Sequence, residues 1–150
     1  MFVPLDEILV CEYCLSSMHS EGATCGCTTF CSLRCLADAM AAGHRFLCRQ
    51  SAKAQQLANF FDELHAVGEA FRLAVKLLAL CAAQGRWEQC RGLHGMPWWD
   101  TAGLSEFEDA ALHTTETVLV LLRQLLPLQL DVHELAVLVG QVRMPLVSGC

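Results

Sequence analysis

The sequence lacks a long uninterrupted run of apolar residues. Its two most apolar stretches, residues 71–83 and 118–130, are interrupted by Lys76 and Arg123. Each falls short of the roughly 18 apolar residues that a membrane-spanning helix needs. The opening decapeptide MFVPLDEILV has no basic leader and carries two acidic residues, so it is not typical of a secretory signal. We therefore expect no membrane partner and a location in the cytoplasm or nucleus, where thiols stay reduced.

Basic residues are also scarce. The chain has 10 lysines and arginines against 16 aspartates and glutamates, which gives a formal net charge of −6. Within residues 11–48, Arg34 and Arg45 stand against three carboxylates. Zinc modules that bind DNA or RNA need Lys and Arg to displace counterions from phosphates. The charge therefore argues against nucleic acid as a partner.

The sequence contains no catalytic motif that we recognise. Residues 133–137 read HELAV instead of His-Glu-x-x-His, and neither a GxxxxGK nor a GxGxxG loop is present. The cysteines after residue 48 lie in apolar or loop contexts without the signature of an activated nucleophile. We expect that this chain by itself is not an enzyme.

Apolar residues are plentiful, at 54% of the chain, and after residue 50 they recur at the three- and four-residue steps of a helix. Before residue 50 we predict short strand or coil, then a helix that begins near Ser32 and stops at Gly43. The later predictions, in chain order, are a helical face from Leu57 to Val67, a break at Gly68, a second face from Phe71 to Cys81 ending at Gly85, a loop over 85–103, a helix over about 105–126 and a last helix over 131–143.

Several apolar residues of the second half are candidates for the core. On the helix over 105–126 these are Phe107, Leu121, Leu122 and Leu125. The adjacent Trp98 and Trp99 allow two interpretations. They either anchor a protein partner, as interface tryptophans often do, or cover the helical core beneath their loop, which we favour because tryptophan is mostly buried.

Cysteine use is lopsided, because seven of the ten cysteines lie between residues 11 and 48. A Cys-x-x-Cys turn aims two thiolates at one ion, and residues four apart lie on one face of a helix. Eight ligands make two tetrahedral zinc sites with no open position, and a closed site is structural. The candidate ligands form four pairs along the chain: Cys11 with Cys14, Cys25 with Cys27, Cys31 with Cys35, and His44 with Cys48.

Three alternatives remain open for these residues. The first is a disulfide framework, which the missing signal and the pairing of His44 with Cys48 disfavour. The second is one filled site with the remaining thiols free. The third concerns Cys25 and Cys27, which one residue separates instead of two. In an extended segment they would still face the same side, or His19 would replace one of them.

The order of these pairs resembles a MYND zinc finger. FCSLRC (30–35) and HRFLC (44–48) carry the resemblance, and Ala39 with the LC of HRFLC links it to the fingers embedded in SET-domain lysine methyltransferases. In that family a helical insert follows the finger. Residues 51–143 are similar to such an insert, and GQVRM (140–144) resembles the point where the SET sequence resumes.

The resemblance implies a fold class and an organisation. The chain is expected to be mainly α, with a small cross-braced two-zinc module followed by a helical hairpin or bundle. The implied units are a finger with a short SET-like remnant over 1–50, the helical region over 51–143 and an irregular tail over 144–150. The implied ligand sets interleave: Cys11, Cys14, Cys31 and Cys35 hold one Zn²⁺, and Cys25, Cys27, His44 and Cys48 hold the other.

The resemblance also implies a function, with departures. The family binds S-adenosylmethionine through a glycine-rich segment, an Asn-His-x-Cys motif and a late tyrosine, whereas the only tyrosine here is Tyr13. We expect a non-catalytic zinc-binding interaction module with a protein partner. The alternative is a fragment of a methyltransferase whose catalytic segments lie outside the chain. DAMAAG (38–43) lacks the tryptophan that many MYND fingers use for proline-rich peptides, so we predict no affinity for them.

Overall fold

The structure of this protein is a computed structural model, which describes residues 9–18, 22–90 and 94–143. These residues are mostly helical, with two small antiparallel hairpins before residue 31 and no strand among those described after it. This agrees with the predicted mainly α class. No helix in the described ranges is long and apolar enough to cross a membrane.

The two hairpins are very short. Strands of two residues bury little and form few hydrogen bonds, and an isolated two-stranded hairpin is at best marginally stable. Other interactions must therefore hold this part of the chain in place. The pairs are β1 (Leu9–Val10) with β2 (Ser17–Met18), where Leu9 lies opposite Met18, and β3 (Ala23–Thr24) with β4 (Thr29–Phe30), where Ala23 lies opposite Phe30.

Three consecutive helical segments follow: α1 (Leu33–Ala39), a π-helical turn (Met40–His44) and α2 (Arg45–Leu47). Helix α1 begins where predicted, because Ser32 Oγ accepts a hydrogen bond of 3.1 Å from the Cys35 backbone N–H. Such a cap satisfies one of the free N–H groups of the first turn. Gly43, with φ of 115°, interrupts the helix without ending it. The predicted stop is therefore a kink, which carries His44 into the next turn.

The larger helical part begins with α3 (Ala52–Glu63) and α4 (Ala66–Gln84). The predicted break at Gly68 was misplaced, because the chain turns at His65, which has φ of 54°. Gly68 lies in the first turn of α4, where a side chain would collide with the Phe61 carbonyl oxygen. Its glycine permits close packing of α4 on α3. Gly85 ends α4 as predicted, in a left-handed conformation with φ of 64°.

The remaining described elements are α5 (Trp87–Cys90), α6 (Trp98–Thr101), a 3-10 turn (Ser105–Phe107), α7 (Glu108–Leu125) and α8 (Val132–Arg143). The predicted loop over 85–103 was wrong in part, because it contains α5 and α6. Phe107 was predicted to be buried but is 56% exposed. Phe107 lies in the 3-10 turn, before the packed face of α7 begins. Its apolar side chain is therefore not buried, although its residue type favours burial.

The predicted last helix begins with a reciprocal cap. The Glu134 backbone N–H donates to Asp131 Oδ1 at 2.8 Å, and the Asp131 backbone N–H donates to Glu134 Oε2 at 3.0 Å. This capping box satisfies backbone donors at the helix start. It fixes the beginning of α8, whose Leu135 and Val139 are fully buried.

The main core lies among α3, α4, α6, α7 and α8. Trp98 and Trp99 are 5% and 6% exposed, which confirms the interpretation that they cover the core. Trp98 Nε1 donates to Thr115 Oγ1 at 3.0 Å, and Thr115 Oγ1 donates to the Ala111 carbonyl at 2.8 Å. The buried polar atoms are thereby paired, as burial without a large energetic cost requires.

The N-terminal region is in direct contact with the helices. The π turn packs on α4, and a side chain at Gly43 would place its Cβ 2.6 Å from the Ala79 backbone. Phe46 and Leu47 of α2 pack against the main core. The helices therefore support the segment that carries His44. The division of the chain at residue 50 stays a prediction.

Candidate metal centre

Four cysteines from two separate segments meet beside the first hairpin, and we call them the first cluster. Their ligand atoms all lie within 4.8 Å of one another. The Sγ atoms of Cys14 and Cys31 are 3.7 Å apart, and those of Cys31 and Cys35 are 3.5 Å apart. The members are Cys11, Cys14, Cys31 and Cys35.

The local backbone explains why the first pair converges. The Cys11 N–H donates to the Ser16 carbonyl, and the Leu15 N–H donates to the Cys11 carbonyl, both at 2.9 Å. Leu15 adopts φ of 62°, a left-handed conformation that closes the turn after Cys14. The chain therefore forms a tight loop around Cys11, the arrangement expected of a Cys-x-x-Cys knuckle.

A second group, which we call the second cluster, lies between the second hairpin and the π turn. Its ligand atoms also lie within 4.8 Å of one another. Cys25 Sγ is 3.2 Å from Cys27 Sγ and 3.4 Å from His44 Nε2, and Cys27 Sγ is 3.4 Å from Cys48 Sγ. The members are Cys25, Cys27, His44 and Cys48.

The shortened Cys-x-Cys spacing is accommodated by a turn. Gly26 adopts φ of 100°, and its N–H donates to Thr24 Oγ1 at 2.9 Å, which in turn donates to the Thr28 carbonyl at 3.0 Å. The expectation of an extended segment was wrong. The left-handed region is open to glycine without steric cost. Gly26 therefore forms a turn in which its two neighbours, Cys25 and Cys27, bring their thiols together.

The donor atoms fit zinc. A tetrahedral ion with Zn–S bonds of about 2.3 Å places two thiolates about 3.8 Å apart, close to the sulfur separations of 3.2–3.7 Å in the two clusters. Thiolate and imidazole are the ligands that Zn²⁺ prefers, and Cys₄ and Cys₃His are the sets of structural zinc sites. The two clusters could therefore hold two zinc ions.

Three thiols of the clusters have strongly perturbed pKa values. Contacts with the thiols of Cys35, Cys14 and Cys11 raise the pKa of Cys31 to about 12, and burial is the main cause that raises the pKa of Cys48 to about 11. Burial also acts to raise the pKa of Cys11, but backbone N–H groups outweigh it and lower that pKa to about 6. A metal ion must displace the protons of Cys31 and Cys48 at neutral pH, because only thiolates bind it.

His44 is prepared to bind as a neutral ligand. Burial lowers its pKa, and the neutral imidazole is the form that coordinates metal ions. The Phe30 ring meets it edge to face, with ring centroids 5.7 Å apart. This contact and the kink at Gly43 hold the ring where Nε2 faces Cys25.

The structure brings all eight candidate ligands into two clusters. Their grouping is the interleaved one that the resemblance implies: the first and third pairs meet, as do the second and fourth. The seven cysteines of the clusters form no disulfide. His19 lies outside the described residues, so its role as a substitute ligand stays a prediction.

Beside the second cluster lies a feature that the sequence analysis missed. A cavity of about 540 Å³ is lined by residues of the N-terminal region, α3 and α4, and Cys27 and His44 contribute to its wall. We call it the groove. Only the fold brings its distant residues together, and no spacing in the sequence indicates it. Along its lining lie Tyr13, Arg49, Arg72, Leu73, Lys76 and Leu77.

Comparison with known proteins yields no relative of this chain. No family model matches it, and neither does a curated protein or a solved structure. The interpretation of the two clusters therefore rests on their donor atoms and geometry. The link to MYND and SET proteins stays a prediction from sequence.

Proposed function

We propose that this chain is a zinc-binding protein-interaction module in which two structural Zn²⁺ ions hold the N-terminal region in shape. The observation that carries the proposal is the interleaving of two four-ligand clusters across residues 11–48. Ligands from distant segments share a cluster, so each ion would cross-link parts of the chain that the sequence separates by 17 to 21 residues.

The need for such cross-links follows from the small size of the N-terminal region. Among its described residues, a separate small core consists of four buried residues, Cys11, Met18, Phe30 and Ala39. A module of about 40 residues rarely buries enough apolar surface to fold by itself. Bound zinc supplies the missing free energy of folding in modules of this kind.

The ligand sets also favour a structural role over a catalytic one. Each cluster offers four protein ligands, and four ligands fill a tetrahedral coordination shell. A catalytic zinc site keeps one position for water or substrate. The chain's own side chains would close both sites, and the ions would fix geometry without performing a reaction.

Native mass spectrometry of paired variants tests both the zinc and the grouping. The double variant Cys14→Ser/Cys31→Ser removes two ligands of one cluster and should retain one zinc ion. Cys14→Ser/Cys25→Ser removes one ligand from each cluster and should lose both. A non-interleaved arrangement predicts the reverse. Cys81→Ser, outside both clusters, is the control and should retain two ions, as should the wild type.

Whether this chain binds the methyl donor of a methyltransferase can be tested separately. We propose that the module derives from a SET-MYND lysine methyltransferase, on the strength of FCSLRC (30–35) and HRFLC (44–48), and that it does not act as an enzyme alone. Calorimetric titration with S-adenosylmethionine should give no heat of binding. Saturable binding at one site per chain would contradict the non-catalytic proposal and favour the methyltransferase alternative.

A further inference from the structure

The turn formed by Cys25, Gly26 and Cys27 holds two thiols close together. Their Sγ atoms are 3.2 Å apart, against 3.4–3.7 Å for three other sulfur contacts of the clusters. A disulfide needs Cα atoms about 4.4–6.8 Å apart, whereas two residues of extended chain span about 7 Å. Gly26, with φ of 100°, turns the chain and shortens that span. The geometry therefore suits a disulfide between Cys25 and Cys27 as well as a metal ion.

Hydrogen bonds within residues 24–28 hold this turn. The Gly26 N–H donates to Thr24 Oγ1 at 2.9 Å, and Thr24 Oγ1 donates to the Thr28 carbonyl at 3.0 Å. The Cys25 N–H donates to the same carbonyl at 3.3 Å. These three bonds need neither a metal ion nor a distant segment, so the two thiols stay neighbours when the ion leaves. Such positioning raises the effective concentration of one thiol at the other.

The exposed thiols of the first cluster are less well placed to react with each other. Cys14 and Cys31 are both exposed, but their Sγ atoms are 3.7 Å apart and they lie 17 positions apart in the sequence. Two-residue strands do little to hold such distant segments together. Their approach therefore depends on a bound ion, whereas the approach of Cys25 to Cys27 does not.

Cys27 is also open to a small oxidant. It is exposed, whereas Cys25 is half-buried, and it lies on the wall of the groove. Cysteines that sense oxidants are accessible to solvent and often lie next to a second, resolving cysteine. Cys27 fits the first role and Cys25 the second.

We propose that Cys25 and Cys27 form an oxidative modification site, at which hydrogen peroxide joins them in a disulfide and the second cluster loses its zinc ion. The inference rests on the proposed function, because it needs zinc in the second cluster. The first cluster keeps its four thiolates and its ion. Oxidation would thus detach the second hairpin from the π turn and leave the first hairpin fixed to the start of α1.

The reaction takes two steps. Cys27 Sγ, as a thiolate, attacks one oxygen of the peroxide; the S–O bond forms, the O–O bond breaks and hydroxide leaves. Cys25 Sγ then attacks the sulfur of the resulting sulfenic acid, the S–S bond forms, the S–O bond breaks and a second hydroxide leaves. The two thiolates lose two electrons, which reduce the peroxide to two hydroxides. His44 and Cys48 are then the remaining ligands of the cluster, half of a tetrahedral set.

The test treats the full chain, loaded with two zinc ions, with dilute hydrogen peroxide. Native mass spectrometry counts the ions before and after treatment. Alkylation of the denatured protein and tandem mass spectrometry then identify the cysteines that have reacted. One of the two ions should leave, with Cys25 and Cys27 joined and the first cluster's thiols free to be alkylated. A dithiol reductant with one equivalent of zinc should restore the second ion, because a disulfide is reducible and a sulfinic acid is not.

Thr24→Val tests the turn without changing a ligand. It removes the hydroxyl that holds Gly26 and should retain two zinc ions. In excess peroxide, slower attack by Cys25 leaves more time for a second oxidation of Cys27. The ratio of disulfide to sulfinic acid should therefore fall about two- to tenfold, the effect of one lost hydrogen bond. Thr29→Val is the matched control, because the Thr29 hydroxyl has no hydrogen bond within the described residues, and its ratio should equal that of the wild type.

Several outcomes would overturn the inference and leave the proposed function intact. One is a chain that holds two ions and keeps both in peroxide, or loses both together. Another is a disulfide that joins Cys31 to Cys14 or Cys35 while the second cluster keeps its ion. A third is an equal product ratio in the two threonine variants. An untreated chain without zinc would contradict the inference and the proposed function together.

Discussion

Replacing Gly43 by alanine should weaken the contact between the π turn and α4. Gly43 is buried, with φ of 115°, a conformation that costs other residues about 1–3 kcal/mol. The new Cβ would also lie 2.6 Å from the carbonyl carbon and oxygen of Ala79. Those are backbone atoms of α4 that cannot rotate away, and overpacking of this kind costs about 1–3 kcal/mol more. The free energy of unfolding should therefore fall by about 2–6 kcal/mol.

Gly85→Ala is the control for backbone strain alone. Gly85 also has positive φ, at 64°, but a Cβ there would meet no atom within 4 Å. Its substitution should cost only the strain of the left-handed conformation, about 1–2 kcal/mol. Urea denaturation followed by circular dichroism measures both variants, and a loss for Gly43→Ala larger than that for Gly85→Ala by more than about 1 kcal/mol, the difference between the two strain ranges, reports the collision with α4.

The substitution at Gly43 should also distinguish the two clusters. His44 is the next residue, so a displaced π turn moves Nε2 away from Cys25, while the first cluster has no ligand on this turn. Native mass spectrometry of Gly43→Ala should show weakened binding of one zinc ion. The reasoning would be refuted if both glycine variants lost equal stability and both kept two ions with unchanged affinity.

Two further perturbations address the core and the thiols. Trp98→Phe removes the donor to buried Thr115 Oγ1 and should lower the free energy of unfolding by about 1–3 kcal/mol. The Trp99 indole has no hydrogen bond within the described residues, so Trp99→Phe should lower the free energy of unfolding by less in the same denaturation assay. Equal losses would exclude the hydrogen bond as the cause. Because the pKa values of Cys31 and Cys48 are raised to about 12 and about 11, zinc binding should release protons, and competition with a chelator should show affinity rising from about pH 6 to about pH 8. A flat profile would contradict this.

Local sequence signals predicted the elements that local chemistry determines. Ser32 indicated the start of α1 and Gly85 the end of α4, because a cap and a left-handed turn depend on the residue itself. Gly68 misleads because its role does not depend on local chemistry. A glycine at this position predicts a break in the helix, but Gly68 instead allows α4 to approach the Phe61 carbonyl closely. Only the packed structure shows that neighbour.

The candidate site followed a similar division. Residue type and spacing identified the pairs, but four equivalent pairs can be combined in more than one way, so spacing alone did not choose the grouping. Gly26 is the sequence signal that could have indicated the geometry of the second cluster. Its positive φ allows Cys25 and Cys27 to face one ion although only one residue separates them. The sequence predicted neither the exposure of Phe107 nor the groove, because the exposure of a side chain depends on contacts between distant segments. Leu73 and Tyr13, which lie far apart in the sequence but line the same groove, show this dependence.

The interleaved order has a consequence for a broken chain. A cut between Cys27 and Cys31 would leave each fragment with two ligands of each cluster. With both ions bound, the fragments would stay joined by two reversible links although their covalent connection is gone. A chelator would then release them. The cysteine pairs thus make the short segment from Cys27 to Cys31 the one place in residues 11–48 where the protein could be split into complementary halves that share both metals.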